Sequence, residues 1–205
     1  MIEKQELKLQ QLVNAAIDMF HENGFQNARV SDIVGKAGVA QGTFYLYFKS
    51  KDDIFLHICK KFTALFSNML EDSQDLFSGD SYEEVHGNIL KFTRELIALF
   101  AANEKMAKIL FFEGGGYGGK FRQVYEGIYK QFVHIIGGLL EKSKQTGYTS
   151  FEDAETEAIF LIGLFDRSLF YFMDVKKKVD IHALSHRMTD FILGGLSKNM
   201  VKISK

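Results

Sequence analysis

Proline and tryptophan are absent from all 205 residues, and cysteine occurs once. Without proline the commonest helix breaker is gone, so helices have to end at glycine or at polar clusters. The one thiol, Cys59, allows no intrachain disulfide and no cysteine cluster for zinc. A reducing, cytoplasmic setting is expected on that ground. An excess of one charge is also lacking: 25 Lys and Arg stand against 26 Asp and Glu. No global field therefore draws the chain to nucleic acid or membrane, and any attraction to DNA has to be local. Residues 1–62 are balanced too, since Lys4, Lys8, Arg29, Lys36, Lys49, Lys51, Lys60 and Lys61 face seven carboxylates. No apolar run reaches the roughly 18 residues of a membrane span, and the opening MIEKQELKLQ is too polar for a signal peptide. Strand-like alternation, repeats and low-complexity tracts are missing as well.

What is present reads as helix. Hydrophobic residues make up 46% of the chain and charged residues 25%, the balance of a globular protein and not of a disordered one. Leu9, Leu12, Val13, Ala16 and Phe20 recur at spacings of three and four and predict a helix over 5–22. Asn23-Gly24 stops it, and Phe25 folds back on the core.

The most informative stretch is 29–51, RVSDIVGKAGVAQGTFYLYFKSK. Val30, Ile33, Val34 and Ala37 give an apolar stripe over 30–37, with Ser31 placed as N-cap. Gly38 ends that helix, because glycine enters the left-handed region without a Cβ clash. Val39 plugs the corner, and 41–48 forms a second helix in which Phe44 and Phe48 face the core. Ser50 or Lys51 opens a further helix, with Asp52 and Asp53 in its first turn, where the helix dipole favours them. Two helices at a steep angle across a glycine turn make a helix-turn-helix, and the second is of a size to enter a major groove. Thr43, Tyr45 and Tyr47 supply hydroxyls for phosphate oxygens, and Lys49 and Lys51 supply ammonium groups. Arg29, Ser31, Gln41 and Gly42 are the candidates for base or groove contact. Arg and Gln make paired hydrogen bonds to guanine and adenine edges, and Gly42 lets the backbone come close.

These residues resemble the N-terminal domain of the TetR family of bacterial transcriptional regulators, through LVNAAIDMF, NGF, VSDIV and AGVAQGTFYLYFKSK. The likeness is dense over 9–51, and the remainder fits the family by architecture. It implies an all-α protein with a three-helix DNA-binding head (1–50) and a larger helical domain (51–205) for dimerisation and effector binding. It also implies a near-palindromic double-stranded operator, a repressor released by a small effector, no catalysis, and no cofactor or metal. Where the family often has Thr or Ser, this chain has Ala28 and Arg29. Ala40 and Gln41 stand where Ser-Lys often precedes Gly-Thr, and Leu46 stands where many members carry a polar residue. These departures bear on which operator is read.

Beyond the head, periodicity predicts helices over 51–77, 82–102, 105–113, 121–145 and 181–200, and another opened by Ser150 or Glu152 and running to 174. Ser81 and Glu84 have capping-box spacing. The last two helices carry more apolar surface than one subunit covers, so they are expected to pair with their copies in a homodimer. Most of the twenty Phe and eight Tyr residues follow position 90. Ordinary packing accounts for most of them, yet aromatics on several helices are also how apolar pockets are walled. The expected pocket draws Phe92 and Leu96 from one helix and Phe111 and Phe112 from the next. Tyr125, Tyr129, Phe132, Phe165 and Asp166 complete it, with Glu113 as a further polar feature. It suits a small hydrophobic or aromatic effector.

Two other readings stay open on the sequence. GGGYGGK at 114–120 has glycine spacings of nucleotide-binding loops, so an enzyme holding a nucleotide there is one alternative. Such a loop needs a preceding strand, and a phosphate loop needs Ser or Thr after the lysine, where Phe121 stands. The other is a helical ligand-binding module that does not read DNA. His182 and His186 share a helix face but have no third ligand nearby, so two partly exposed histidines are expected. Asp166-Arg167 in an apolar helix is expected to pair with itself.

Overall fold

The computed structural model describes residues 2–73, 75–113, 120–147 and 149–196, and among them every regular element is helical. In order these are α1 (Ile2–Asn27), α2 (Val30–Ala37), α3 (Gln41–Tyr47), α4 (Lys51–Glu71), α5 (Tyr82–Ala102) and α6 (Glu104–Ala107). A π-helical turn (Lys108–Glu113) follows, then α7 (Lys120–Thr146), α8 (Ala154–Phe170), a second π-helical turn (Tyr171–Val175) and α9 (Ile181–Leu196). No described helix is long and apolar enough to cross a membrane.

The chain forms two compact units, Met1–Ala64 with Asn103–Tyr125, and Leu65–Ala102 with Glu126–Lys205. The division expected from the sequence falls at residue 50. By compactness the chain parts inside α4, which gives its first two-thirds to one unit and its last turns to the other.

In the first unit the α1 stripe is buried as its spacing requires: Leu12, Val13, Ala16 and Phe20 are all within 1% of full burial. The stop predicted at Asn23-Gly24 appears as a break in the helical path, with Gly24 at φ 74°. That break swings Phe25 inward, where its ring lies 5.3 Å from Phe20 and 4.9 Å from Phe55. Burying each such ring stabilises the unit by about 1.5–3 kcal/mol. Ile33 and Val34 of α2 and Phe44 of α3 close the core from the other side. Ala107, Ile109 and Leu110 bring a mid-chain segment into the same unit. Lys36 bonds Glu22 at 2.7 Å and lies 3.6 Å from Asp18, which also meets Lys105. The Lys105 hydrogen bond is the chief reason the Asp18 carboxyl sits below its usual range, and Lys36 adds to it.

In the second unit α5 lies along α9, and His86 Nε2 meets Asp190 Oδ1 at 3.0 Å between them. Glu84 N–H donates to Ser81 Oγ at 3.2 Å, half of the predicted capping box. The Glu84 carboxylate closes the other half one residue early, on the Asp80 N–H at 2.7 Å. Phe66 packs edge-on against Phe132 at 4.3 Å and against Phe100 at 6.4 Å.

Several boundaries differ from expectation. α4 ends at Glu71 and not at 77, since Leu76 and Phe77 are buried from a turn instead of a helix. Residues 108–113 and 171–175 widen to π-helix. The α8 cap is Asp153, not Ser150 or Glu152. Its carboxylate accepts from Glu155 N–H at 3.4 Å and Thr156 N–H at 2.9 Å. The hydrogen bonds from Thr156 hold its pKa below the usual range. The expected end of the last helix at 200 lies outside the described residues.

Candidate nucleic-acid interface

The corner between α2 and α3 is built by backbone rules. Gly38 sits at φ 66°, ψ 31° and its N–H returns to the Gly35 carbonyl, while the Val39 N–H returns to Val34. This left-handed cap lets the chain reverse and start α3 three residues later. The N-cap of α2 corrects the expectation: it is Arg29 and not Ser31. Asp32 decides this, because its carboxylate accepts the Arg29 N–H at 3.2 Å, and Ser31 Oγ turns to the same carboxylate at 3.2 Å. Arg29 and Ser31 are both exposed.

Along α3 burial follows the helical period. Phe44 is fully buried and Phe48, at its C-terminal cap, is 4% exposed. Their rings meet at 5.8 Å, and Phe48 continues onto His57 at 5.5 Å. Away from the core, Gln41, Gly42, Tyr45 and Leu46 are all exposed, with exposed Lys49 just beyond the helix. Tyr45 stands edge-on against Phe44 at 5.4 Å, so its ring is braced while its hydroxyl end is in solvent. The Lys49 N–H donates to Asp53 Oδ2 at 2.9 Å and the Asp53 N–H to Ser50 Oγ at 3.2 Å. This reciprocal cap starts α4 and holds Lys49 at the corner.

Two of the assigned phosphate donors are occupied inside the unit. Lys51 Nζ donates to three carbonyls, Phe25 at 2.7 Å, Gln26 at 3.0 Å and Ala28 at 2.9 Å, and lies 4.5 Å over the Phe25 ring. An ammonium has three protons, so in this structure the lysine expected to meet a phosphate has all three directed at carbonyls around the end of α1. Tyr47 is half-buried and donates its hydroxyl proton to the Gln5 carbonyl at 3.0 Å. The hydroxyl expected to meet a phosphate is thus directed within the unit in this structure. Thr43 is half-buried beside the exposed face.

Of the residues expected to wall an effector pocket, Phe92 and Tyr129 line two different grooves among the described residues. Phe92 lines a groove of about 470 Å³ with Leu65, Asn68 and Met69 of α4. Leu96 and Phe132 are core residues. Tyr129 lines a second groove, of about 570 Å³, with Val133, Gly137, Ala154 and Ile159. Phe165 is half-buried, and Tyr125 falls in the first unit. The side chains of Phe111, Phe112 and Glu113 lie outside the described residues. Asp166 pairs with Arg167, at 2.9 Å to Nε and 2.8 Å to Nη2, as the self-pairing reading expects. Burial nonetheless pushes the Asp166 carboxyl above its usual range, against the pull of Arg167. Its Oδ1 is buried with no partner among the described residues. The Tyr129 hydroxyl is pushed upward by burial first and by the Asp166 charge second.

The other chemical readings lose their footing. The glycines at 114–119 lie outside the described residues, but the segment before them is a π-helical turn and not the strand that a nucleotide loop requires. His182 and His186 stack at 4.6 Å, and no third metal ligand joins them among the described residues. Cys59 is buried, which pushes its thiol up to about 12 and leaves it un-ionised and unreactive at neutral pH.

A short braced helix turning polar groups outward across a glycine corner defines a class, the helix-turn-helix transcriptional regulators. Within it, residues 12–58 match the model of bacterial regulatory proteins of the tetR family. The HTH-type transcriptional regulator YdgC of Bacillus subtilis (strain 168) is 31% identical over 156 residues, 76% of this chain and 75% of that protein. The chain belongs to the TetR family, and is a DNA-binding transcriptional regulator. The fatty acid metabolism regulator protein of the same bacterium is 27% identical over 190 residues, covering 92% of this chain and 95% of its own. Among solved structures, the transcriptional regulator FadR from Bacillus subtilis in complex with stearoyl-CoA superposes with a TM-score of 0.74. It is 25% identical, over 92% of this chain and 99% of that one.

Proposed function

We propose that this protein is a cytoplasmic repressor that binds a near-palindromic operator as a homodimer and leaves it when a long-chain acyl-CoA binds its second unit. The observation that carries the DNA-reading half is the outward face of α3. Its apolar side is spent on the core, and its other side presents an amide, a bare backbone, a phenol and an ammonium at groove-contact spacing. Tyr45 and Lys49 hold phosphates. Gln41 reads a base edge, Gly42 allows close approach, and Arg29, Ser31 and Thr43 flank the groove. Lys49→Ala is expected to weaken binding to every sequence alike and to lower the slope of log K against log salt by about one. Gln41→Ala is expected to change which sequence is preferred. Salt titrations and selections on the two variants check this, and a Lys49→Ala slope equal to wild type counts against the placement.

The effector half is supported by similarity along nearly the whole chain to a fatty acid metabolism regulator and to a FadR structure that holds stearoyl-CoA. This narrows the small hydrophobic effector expected from the aromatics to an acyl thioester. The groove between α4 and Phe92 is where such a chain would touch α4, which begins beside the reading helix. A ligand shifts an equilibrium only by its difference in affinity for the two states, and couplings of about 1–3 kcal/mol are typical. Stearoyl-CoA is therefore expected to weaken operator binding about 5–150-fold, whereas free CoA and stearate leave it unchanged. Fluorescence anisotropy of labelled operator reads the result. Equal affinity with and without stearoyl-CoA contradicts the effector class.

A further inference from the structure

We infer that Leu46 is a specificity-determining residue that reads the 5-methyl group of a thymine in each operator half-site. The inference rests on the proposal that α3 enters the major groove. Leu46 is 81% exposed, more than any other large hydrophobic residue described. It does not belong to an apolar patch. Gly42 lies one turn before it on the same side of the helix, Gln41, Tyr45 and Lys49 are exposed nearby, and the phenylalanines of the same stretch are turned inward. A lone exposed leucine is ordinary on a surface that meets only water. Here it stands in the middle of the one face offered to base edges.

The chemistry of the groove then selects its target. Each base pair shows hydrogen-bond donors and acceptors in the major groove, and the only apolar group among them is the thymine methyl. Leu46 has no group that donates or accepts. Placed against a cytosine amino group or a guanine carbonyl, it would strip water from a polar atom and return nothing. Placed against a thymine methyl, both partners lose apolar surface to each other. Leu46 therefore favours one base and disfavours the rest. It lies five residues beyond Gln41, about 7.5 Å along the helix and well round its circumference. The two side chains thus address different base pairs.

The test uses the wild-type dimer and its operator selected from random DNA, together with Leu46→Ala and Leu46→Asn. The side chain is exposed, so both variants are expected to keep the wild-type melting temperature. Each thymine of the half-site is replaced in turn by deoxyuridine, which removes the methyl and nothing else. At one position per half-site wild type is expected to lose about fourfold in affinity, the effect of burying one methyl-sized group. Both variants are expected to bind the thymine and uracil operators equally, and selection with Leu46→Asn is expected to lose thymine at that position. If every uracil substitution is silent for wild type, or if the variants keep the same methyl preference, Leu46 does not read thymine. If wild type selects no sequence at all, the groove placement of α3 fails, and this inference falls with it.

Discussion

Phe191→Glu is expected to yield a folded monomer whose operator affinity is lower by about 10²–10⁴-fold, the factor gained when a second binding module is held near its half-site. Phe191 is 69% exposed on α9 and Phe160 is 64% exposed on α8. Neither supports its own subunit: the inward side of α9 is made by Met188, Ile192 and Leu193. Small residues lie one turn from each ring, Gly163 from Phe160 and Gly194 and Gly195 from Phe191. A Cβ added at Gly163, Gly194 or Gly195 would meet no described atom within 4 Å. Two large exposed rings beside small residues are what a second copy can cover closely, and a two-fold axis would present two reading helices to one duplex. Half-sites one turn apart, roughly 34–36 Å, follow from that geometry. In such a dimer a carboxylate at 191 would face its own copy across the axis and have to be desolvated to pair, so it would oppose association. Sedimentation velocity at micromolar concentration, circular dichroism and operator titration report the outcome together. A variant that sediments and binds like wild type places the dimer elsewhere.

Lys51→Met is expected to cost the first unit about 2–4 kcal/mol, the effect of removing a charged donor from part-buried carbonyls. The last turn of α1 carries no basic residue. Its closing carbonyls instead receive the Lys51 ammonium, which also stacks on Phe25. Arginine is expected to rescue poorly, since a planar fork cannot point three donors at three carbonyls around one nitrogen. Urea denaturation measures the loss. Lys49 supplies the contrast: Lys49→Ala is expected to leave the urea midpoint unchanged while lowering the salt slope. If instead Lys51→Met leaves stability intact and lowers the salt slope by about one, Lys51 faces the phosphate after all.

These two lysines also show where a sequence is legible. The α2–α3 corner could be read almost residue by residue, because glycine dihedrals and apolar spacing act locally, and the bounds of α3 fall within one residue of expectation. Lys51 could not be read this way. Its partners lie 23–26 positions back, and nothing adjacent says that a lysine in a basic-looking tail turns inward. The one available signal was the missing basic residue at the end of α1. Tyr47 is the same case across 42 positions. The displaced cap of α2 turned on a competition between Ser31 and Asp32 that propensity alone does not resolve. In the second unit the helices were legible and their facing was not. Helices apolar on most sides leave open which side meets which neighbour, so Phe132 turned out to pack on Phe66 while Phe92 lines a groove with α4. The widened turns at 108–113 and 171–175 have no local signature that periodicity detects.

The central claim is that α3 reads operator DNA for a two-fold dimer. Selection of bound duplexes from a random pool by the purified protein, followed by sequencing, tests it most directly. The account predicts enrichment of one near-palindrome whose half-sites lie about one helical turn apart, with Gln41→Ala and Leu46→Asn each shifting the preference at a different position. A pool that emerges unenriched, or a single unsymmetrical site whose sequence ignores every change on the outward face of α3, contradicts it.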